Sequence, residues 1–202
     1  MTPSTPPACG GFVLAGGHSS RMGREKGLLE ISGTPLVVRA ARLLASACDS
    51  VSIVGPPERY AQFGFPALAD EQPHLGPLGG IVTALAHTSA PWNLIVACDL
   101  PYLTAKWLCY LIGRARASSA RVVLPVGGSG PEPLCAAYHR EGAGPIREQL
   151  ERGVLKVTQA VEAAGVERIL AQDILPFDPR GVLFQNLNAP EDYERARADL
   201  EG

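Results

Sequence analysis

The sequence predicts an α/β fold, a mostly parallel mixed sheet covered by helices on both faces in three layers, α/β/α. Three observations carry this reading. Short apolar runs of strand length recur without polar alternation, as strands buried on both faces require. Amphipathic stretches of helix length lie between them, the order of repeated strand, loop and helix units. Two late apolar runs, 121–126 and 133–138, flank the turn sequence Gly127-Gly128-Ser129-Gly130-Pro131, so they can pair as a hairpin and make the sheet mixed.

In chain order, Gly11-Phe12-Val13-Leu14-Ala15 is a buried strand that enters a loop at Gly16-Gly17. A helix follows over 35–47. Leu36, Val37, Ala40, Ala41 and Leu44 share one face of it, and Pro35 suits its first turn. Val51 to Val54 reads as the second strand, closed by Gly55-Pro56-Pro57, and Ala67-Leu68-Ala69 as a short third one ending at Asp70. A helix runs from Gly76 to about His87. Trp92 to Cys98 is the strongest strand pattern, and Asp99 stands at its carboxyl end. Thr104 can cap the next helix, whose Trp107, Leu108, Leu111, Ile112 and Ala115 form a core face, so Trp107 reads as packing. After the hairpin, Pro145 opens and Gly153 closes a helix, and another ends near Gly165. A strand over 166–170 follows, then the segment 183–188 and a final helix from Pro190.

The chain has 202 residues, 46% of them hydrophobic, enough to bury a sizeable core. The expected organisation is a disordered tail over 1–9, with Pro3, Pro6 and Pro7, followed by one domain over 10–202. A net charge of -2 and a pI of about 6.1 argue against non-specific nucleic-acid binding, so anionic ligands must be neutralised locally. No run approaches the roughly 20 apolar residues of a spanning helix, and the start lacks the basic and apolar parts of a signal peptide. The expectation is a soluble cytoplasmic protein without membrane or nucleic-acid partners. The five cysteines form no CxxC pair and the histidines no HExxH, which argues against zinc or a disulfide framework; Cys98, Cys109 and Cys135 read as buried thiols.

The segment Leu14-Ala15-Gly16-Gly17-His18-Ser19-Ser20-Arg21-Met22-Gly23-Arg24-Glu25-Lys26 is a glycine-rich loop after a strand, with cations spaced to neutralise phosphate. It is not a Walker A loop: five residues separate Gly17 from Gly23 where that loop has four, and Gly27 follows Lys26. The G-x-G-x-x-G dinucleotide fingerprint is absent too. The segment closely resembles the L-A-G-G-x-S-x-R-M-G-x-x-K signature of molybdenum cofactor guanylyltransferases. The resemblance continues through Asp70, Gly76-Pro77-Leu78-Gly79-Gly80, Cys98-Asp99-Leu100-Pro101, the 133–138 run and Asn186-Leu187-Asn188-Ala189-Pro190-Glu191-Asp192.

That resemblance implies a Rossmann-like, GT-A-like fold of the nucleotide-diphospho-sugar transferase kind. The implied activity is transfer of GMP from GTP to the phosphate of molybdopterin, with Mg2+ as cofactor. Leu14, Ala15, Gly16, Gly17, Lys26, Asp70 and Asp99 would then bind nucleotide, and Arg21, Lys26 and Asp99 would serve catalysis. Asp99 would hold the metal, with Asn188 a further candidate, and Lys156 a candidate for the second substrate. Molybdoenzymes or cofactor-delivery proteins are the implied partners. Two positions depart from the family pattern: Glu25, where relatives often have aspartate, and Val54, where they often have asparagine.

Each position also has a plainer reading. Asp99 could enter a helix before Pro101, Asn188 could cap the last helix, Lys156 could be an exposed helix-start lysine, and Glu25 reads as a solvated loop charge. The histidines read as surface or structural residues. Rival functions are a molybdopterin cytidylyltransferase, another small-molecule nucleotidyltransferase, and a catalytically silent nucleotide-binding or delivery protein.

Overall fold

The structure, a computed structural model, describes residues 9–16, 25–72 and 74–202. Its elements run β1 (Cys9–Leu14), β2 (Glu30–Ile31), β3 (Thr34–Pro35), α1 (Leu36–Leu44), β4 (Ser50–Val54), α2 (Pro57–Tyr60), β5 (Ala67–Leu68) and α3 (Pro77–Ala86). They continue with β6 (Trp92–Ala97), α4 (Ala105–Ala117), β7 (Val122–Gly127), β8 (Gly130–Pro131), β9 (Cys135–His139), α5 (Ala143–Glu151), α6 (Val157–Glu162), β10 (Val166–Ile169), α7 (Ala171–Ile174) and α8 (Pro190–Glu201).

The main sheet has the order β10-β7-β9-β6-β1-β4-β5, with β8 paired to β7. Its pairs are parallel except where β9 lies antiparallel between β6 and β7, and where β8 turns back on β7. The expected hairpin is therefore present, with Val122 opposite Tyr138. It carries the segment 127–134 to the same sheet edge as the carboxyl ends of β1, β4, β5 and β6, the edge where open α/β sheets bind ligands.

Burial on both faces explains the uninterrupted apolar strands. Val13 of β1 and Leu94 and Val96 of β6 join Val37, Ala41, Leu44, Trp107, Leu108 and Leu111 in one core layer. Phe12, Leu14 and Ile95 face the other way, onto Leu78, Ile81, Leu85, Ile146 and Ala160. Thr104 caps α4 as its position predicts, its hydroxyl accepting from the Trp107 amide at 3.2 Å. Trp107 is fully buried and its indole nitrogen donates to Cys135 Sγ at 3.4 Å, a packing role.

Several boundaries differ from the sequence expectation. Pro35 ends β3 and precedes α1, since the Leu36 amide is drawn to Leu29 O at 2.8 Å. Helix α5 starts at Ala143, which makes Pro145 its third residue. Strand β1 begins at Cys9, the last residue of the expected tail. Cys98 and Cys135 are buried but Cys109 is exposed, because on α4 it lies away from the Trp107 and Leu111 face. None of the described helices is long and apolar enough to cross a membrane.

Candidate active site

Three segments far apart in sequence meet beyond the carboxyl ends of β1 and β6. Leaving β6, the chain exposes Asp99, whose side chain is 15% accessible. A short 3-10 turn over Lys26–Leu28 brings Lys26 back after the glycine loop. The Lys26 ammonium donates to Asp99 Oδ2 at 2.9 Å and to Asn188 Oδ1 at 3.1 Å.

Asn188 gets there because its segment is fixed at both ends. The Leu187 amide donates to Asp99 O at 3.1 Å, and the Asp178 carboxylate accepts from the Val182 and Leu183 amides at 2.8 and 3.1 Å. The capping work at α8 falls to Asp192, whose carboxylate accepts from the Asn188 and Ala189 amides at 3.1 and 3.0 Å. That leaves the Asn188 side chain for Lys26, and the helix-cap reading of Asn188 is set aside.

Glu25 is not a solvated charge. Its carboxylate meets Arg59 at 2.5 Å and lies 2.6 Å from Tyr60 Oη. Tyr60 is fully buried, and its oxygen also sits 3.0 Å from Ala15 O. One phenol thus clasps the residues on either side of the glycine loop, Ala15 before it and Glu25 after it. Burial and the Glu25 contact push the Tyr60 hydroxyl above its usual range, so it serves as a neutral donor. Sequence reading missed this clasp, because the partners are 35 residues apart and Tyr60 follows a Pro-Pro turn with no periodic pattern.

Leu14 and Ala15 are buried at the end of β1, and Gly16 is exposed at the loop entrance. A methyl group built at Gly16 meets no described atom within 4 Å, so the space beside it is open. Gly17 and Arg21 lie outside the described residues, as does His18. Asp70 stands apart from Asp99, beyond the edge strand β5, three strand spacings or roughly 14 Å from β6. Its Oδ1 accepts from the buried Thr83 hydroxyl at 3.0 Å and from the Gln72 amide at 2.9 Å. Oδ2 accepts nothing from the described residues. Val54 is buried in the core layer with Leu14 and Leu78, which explains an apolar residue there. Lys156 is exposed ahead of α6.

The arrangement can bind an anion through Lys26 and a hard cation through two oxygens, but among the described residues it offers no activated nucleophile. Burial, reinforced by Asp99, holds the Cys98 thiol well above its usual range. Among the described residues no three His, Cys, Asp or Glu side chains are grouped for a metal. His87 is taken up by the Thr83 carbonyl at 3.0 Å and by Glu71 at 3.4 Å, a structural setting.

A family model described as the MobA-like NTP transferase domain matches residues 11–169. The chain is 35% identical over 197 residues to the probable molybdenum cofactor guanylyltransferase of Trichormus variabilis, covering 94% of this chain and 91% of that one. It is 32% identical to the one of Thermococcus sibiricus, covering 95% and 98%. Among solved structures, the molybdopterin-guanine dinucleotide biosynthesis protein A of Archaeoglobus fulgidus superposes with a TM-score of 0.83 at 23% identity, covering 95% and 98%, a likeness of fold. With identities above 30% over nearly the full length of both chains, and a family model matched over most of this one, the chain belongs to the molybdenum cofactor guanylyltransferase family of MobA-like nucleotidyltransferases.

Proposed function

We propose that this chain transfers GMP from GTP to the terminal phosphate of molybdopterin, with Lys26, Asp99 and Asn188 at the centre of the reaction. The observation that supports this most is the single ammonium shared by Asp99 and Asn188 at the carboxyl edge of the sheet. A cation already occupies the point between two oxygens there. One carboxylate and one amide oxygen suit magnesium, which takes few protein ligands and completes its shell with phosphate oxygens and water. Bound there, magnesium would neutralise charge on the triphosphate.

The remaining work belongs to the chain. The loop that begins at Gly16 is the part left to supply amides to phosphate, since the Ala15 amide donates to Val54 O at 2.9 Å, and Lys26 and Arg21 balance the charge. A phosphate oxygen of molybdopterin forms a bond to the α-phosphorus as the bond from that phosphorus to the β-phosphate oxygen breaks, and pyrophosphate departs in line. Positioning and charge neutralisation suffice for such a transfer, without a covalent protein intermediate. The free Oδ2 of Asp70 accepts from the N-H donors on guanine's pairing edge.

The test is pyrophosphate release with GTP or CTP, magnesium and molybdopterin, with the cofactor product weighed by mass spectrometry. GTP is expected to be preferred by a large factor, about 10⁴ in favourable cases, because cytosine has an exocyclic amine but lacks the ring N-H that guanine sets beside it. A parent enzyme that prefers CTP overturns the guanine assignment. Absence of turnover with either nucleotide supports the catalytically silent reading.

A further inference from the structure

Asn188 also lines a cavity of about 600 Å³, within the range of small-molecule sites, together with Ser129, Glu132, Phe184, Asn186 and Arg195. Two hydrogen-bond acceptors there find no donor among the described residues. Asn186 Oδ1 is buried without a partner among the described residues. The half-buried Glu132 carboxylate receives no hydrogen bond from any described residue, and burial alone pushes it up to about 7. Acceptors withdrawn from water cost free energy unless something donates to them.

Glu132 is also held in place. Its amide donates to Pro125 O at 2.9 Å and its carbonyl accepts from the Cys135 amide at 3.0 Å, which fixes it to the β7–β9 hairpin. A methyl group built at Gly127 would stand 3.3 Å from Glu132 Oε1 and 2.9 Å from the Phe184 ring, so the carboxylate and the ring share that corner of the hairpin. A flat ligand with N-H donors along one edge would satisfy this wall.

Such an edge, a ring N-H beside an exocyclic amine, occurs on both guanine and pterin. Their places along the sheet separate them. Asp70 lies beyond β5, at one end of the row, whereas Glu132 precedes β9, on the opposite side of β6 and Asp99. We infer that Glu132 and Asn186 form the acceptor-substrate subsite and bind the donor edge of the pterin, across Asp99 from the guanine. This rests on the proposed guanylyl transfer, and it adds residues that fix the second substrate.

The experiment measures binding of a fluorescent free pterin, pterin-6-carboxylate, to the full chain at saturating GTP, alongside steady-state kinetics with molybdopterin. Glu132→Ala is expected to weaken pterin binding and raise the molybdopterin KM by roughly 10- to 100-fold, the loss of a charged hydrogen bond. The GTP KM and kcat should stay near parental values, which also reports an intact fold. Asn186→Ala is expected to act in the same direction, and Glu132→Gln, which keeps one acceptor oxygen, to be milder. Parental pterin affinity in Glu132→Ala, no pterin binding to the parent, or a variant that loses GTP instead of pterin overturns the inference. A parent that binds pterin through Glu132 yet forms no dinucleotide refutes the guanylyl-transfer reading and leaves this subsite standing.

Discussion

Tyr60 carries more of the site than its place in a four-residue helix suggests. Removing its hydroxyl takes away the single proton that Ala15 O and a Glu25 oxygen compete for, at a cost of about 1–3 kcal/mol. Tyr60→Phe should therefore lower the melting temperature and raise the GTP KM, since the stems of the glycine loop lose their clasp. A variant that melts lower but keeps the parental GTP KM would show that the clasp is structural only. Lys26→Ala acts on the ligand itself. Losing a charged hydrogen bond to phosphate should weaken GTP binding by about 1.5–3 kcal/mol, read by titration, and unchanged affinity would remove Lys26 from the site. Lys26 and Asp99 were legible because they sit in motifs beside a strong strand. Asn188 was not decidable from its neighbours. A cap and a site ligand look alike in Asn188-Ala189-Pro190, and Asp192, by taking the cap, leaves the Asn188 side chain to meet Lys26. Glu25 misled because a charge in a loop says nothing of a partner folded onto it from another segment.

At the scale of elements, Gly79 and Gly80 in the first turn of α3 differ in what they face. A methyl group at Gly79 would lie 2.6 Å from the Gln72 carbonyl oxygen, and at Gly80 3.2 Å from the flexible tip of Leu14. Gly79→Ala must push α3 away from the 70–72 segment, at an overpacking cost of about 1–3 kcal/mol. Helix propensity offsets this by about 1 kcal/mol. The displacement reaches Asp70 through Thr83, so Gly79→Ala should destabilise the fold and raise the GTP KM, whereas Gly80→Ala should do less of both. Thermal melts and KM values on the two variants check the order, and a milder Gly79→Ala would contradict it. The long elements were readable because periodicity over β1, β6, α1 and α4 reports burial directly. The two-residue strands β2, β3 and β8 and the short α7 were not, since pairing with distant chain rather than local pattern creates them.

Across the whole molecule, one edge of the sheet holds the ends of the expected reaction in sequence, Asp70 beyond β5, Lys26 and Asp99 over β1 and β6, and Glu132 before β9. The fold class and this edge followed from strand and helix order. The antiparallel insertion of β9 between β6 and β7, which the hairpin only suggested, is what extends the edge toward Glu132. A net charge of -2 fits a protein that meets anionic substrates with a few placed cations rather than a broad field. The most direct test compares the parent with Asp99→Asn, using GTP, molybdopterin and limiting magnesium, and quantifies the dinucleotide by mass. Asparagine keeps the shape and removes the charge, so product formation should fall on the order of 100-fold with the melting temperature unchanged. Parental product formation by Asp99→Asn at limiting magnesium would contradict the account.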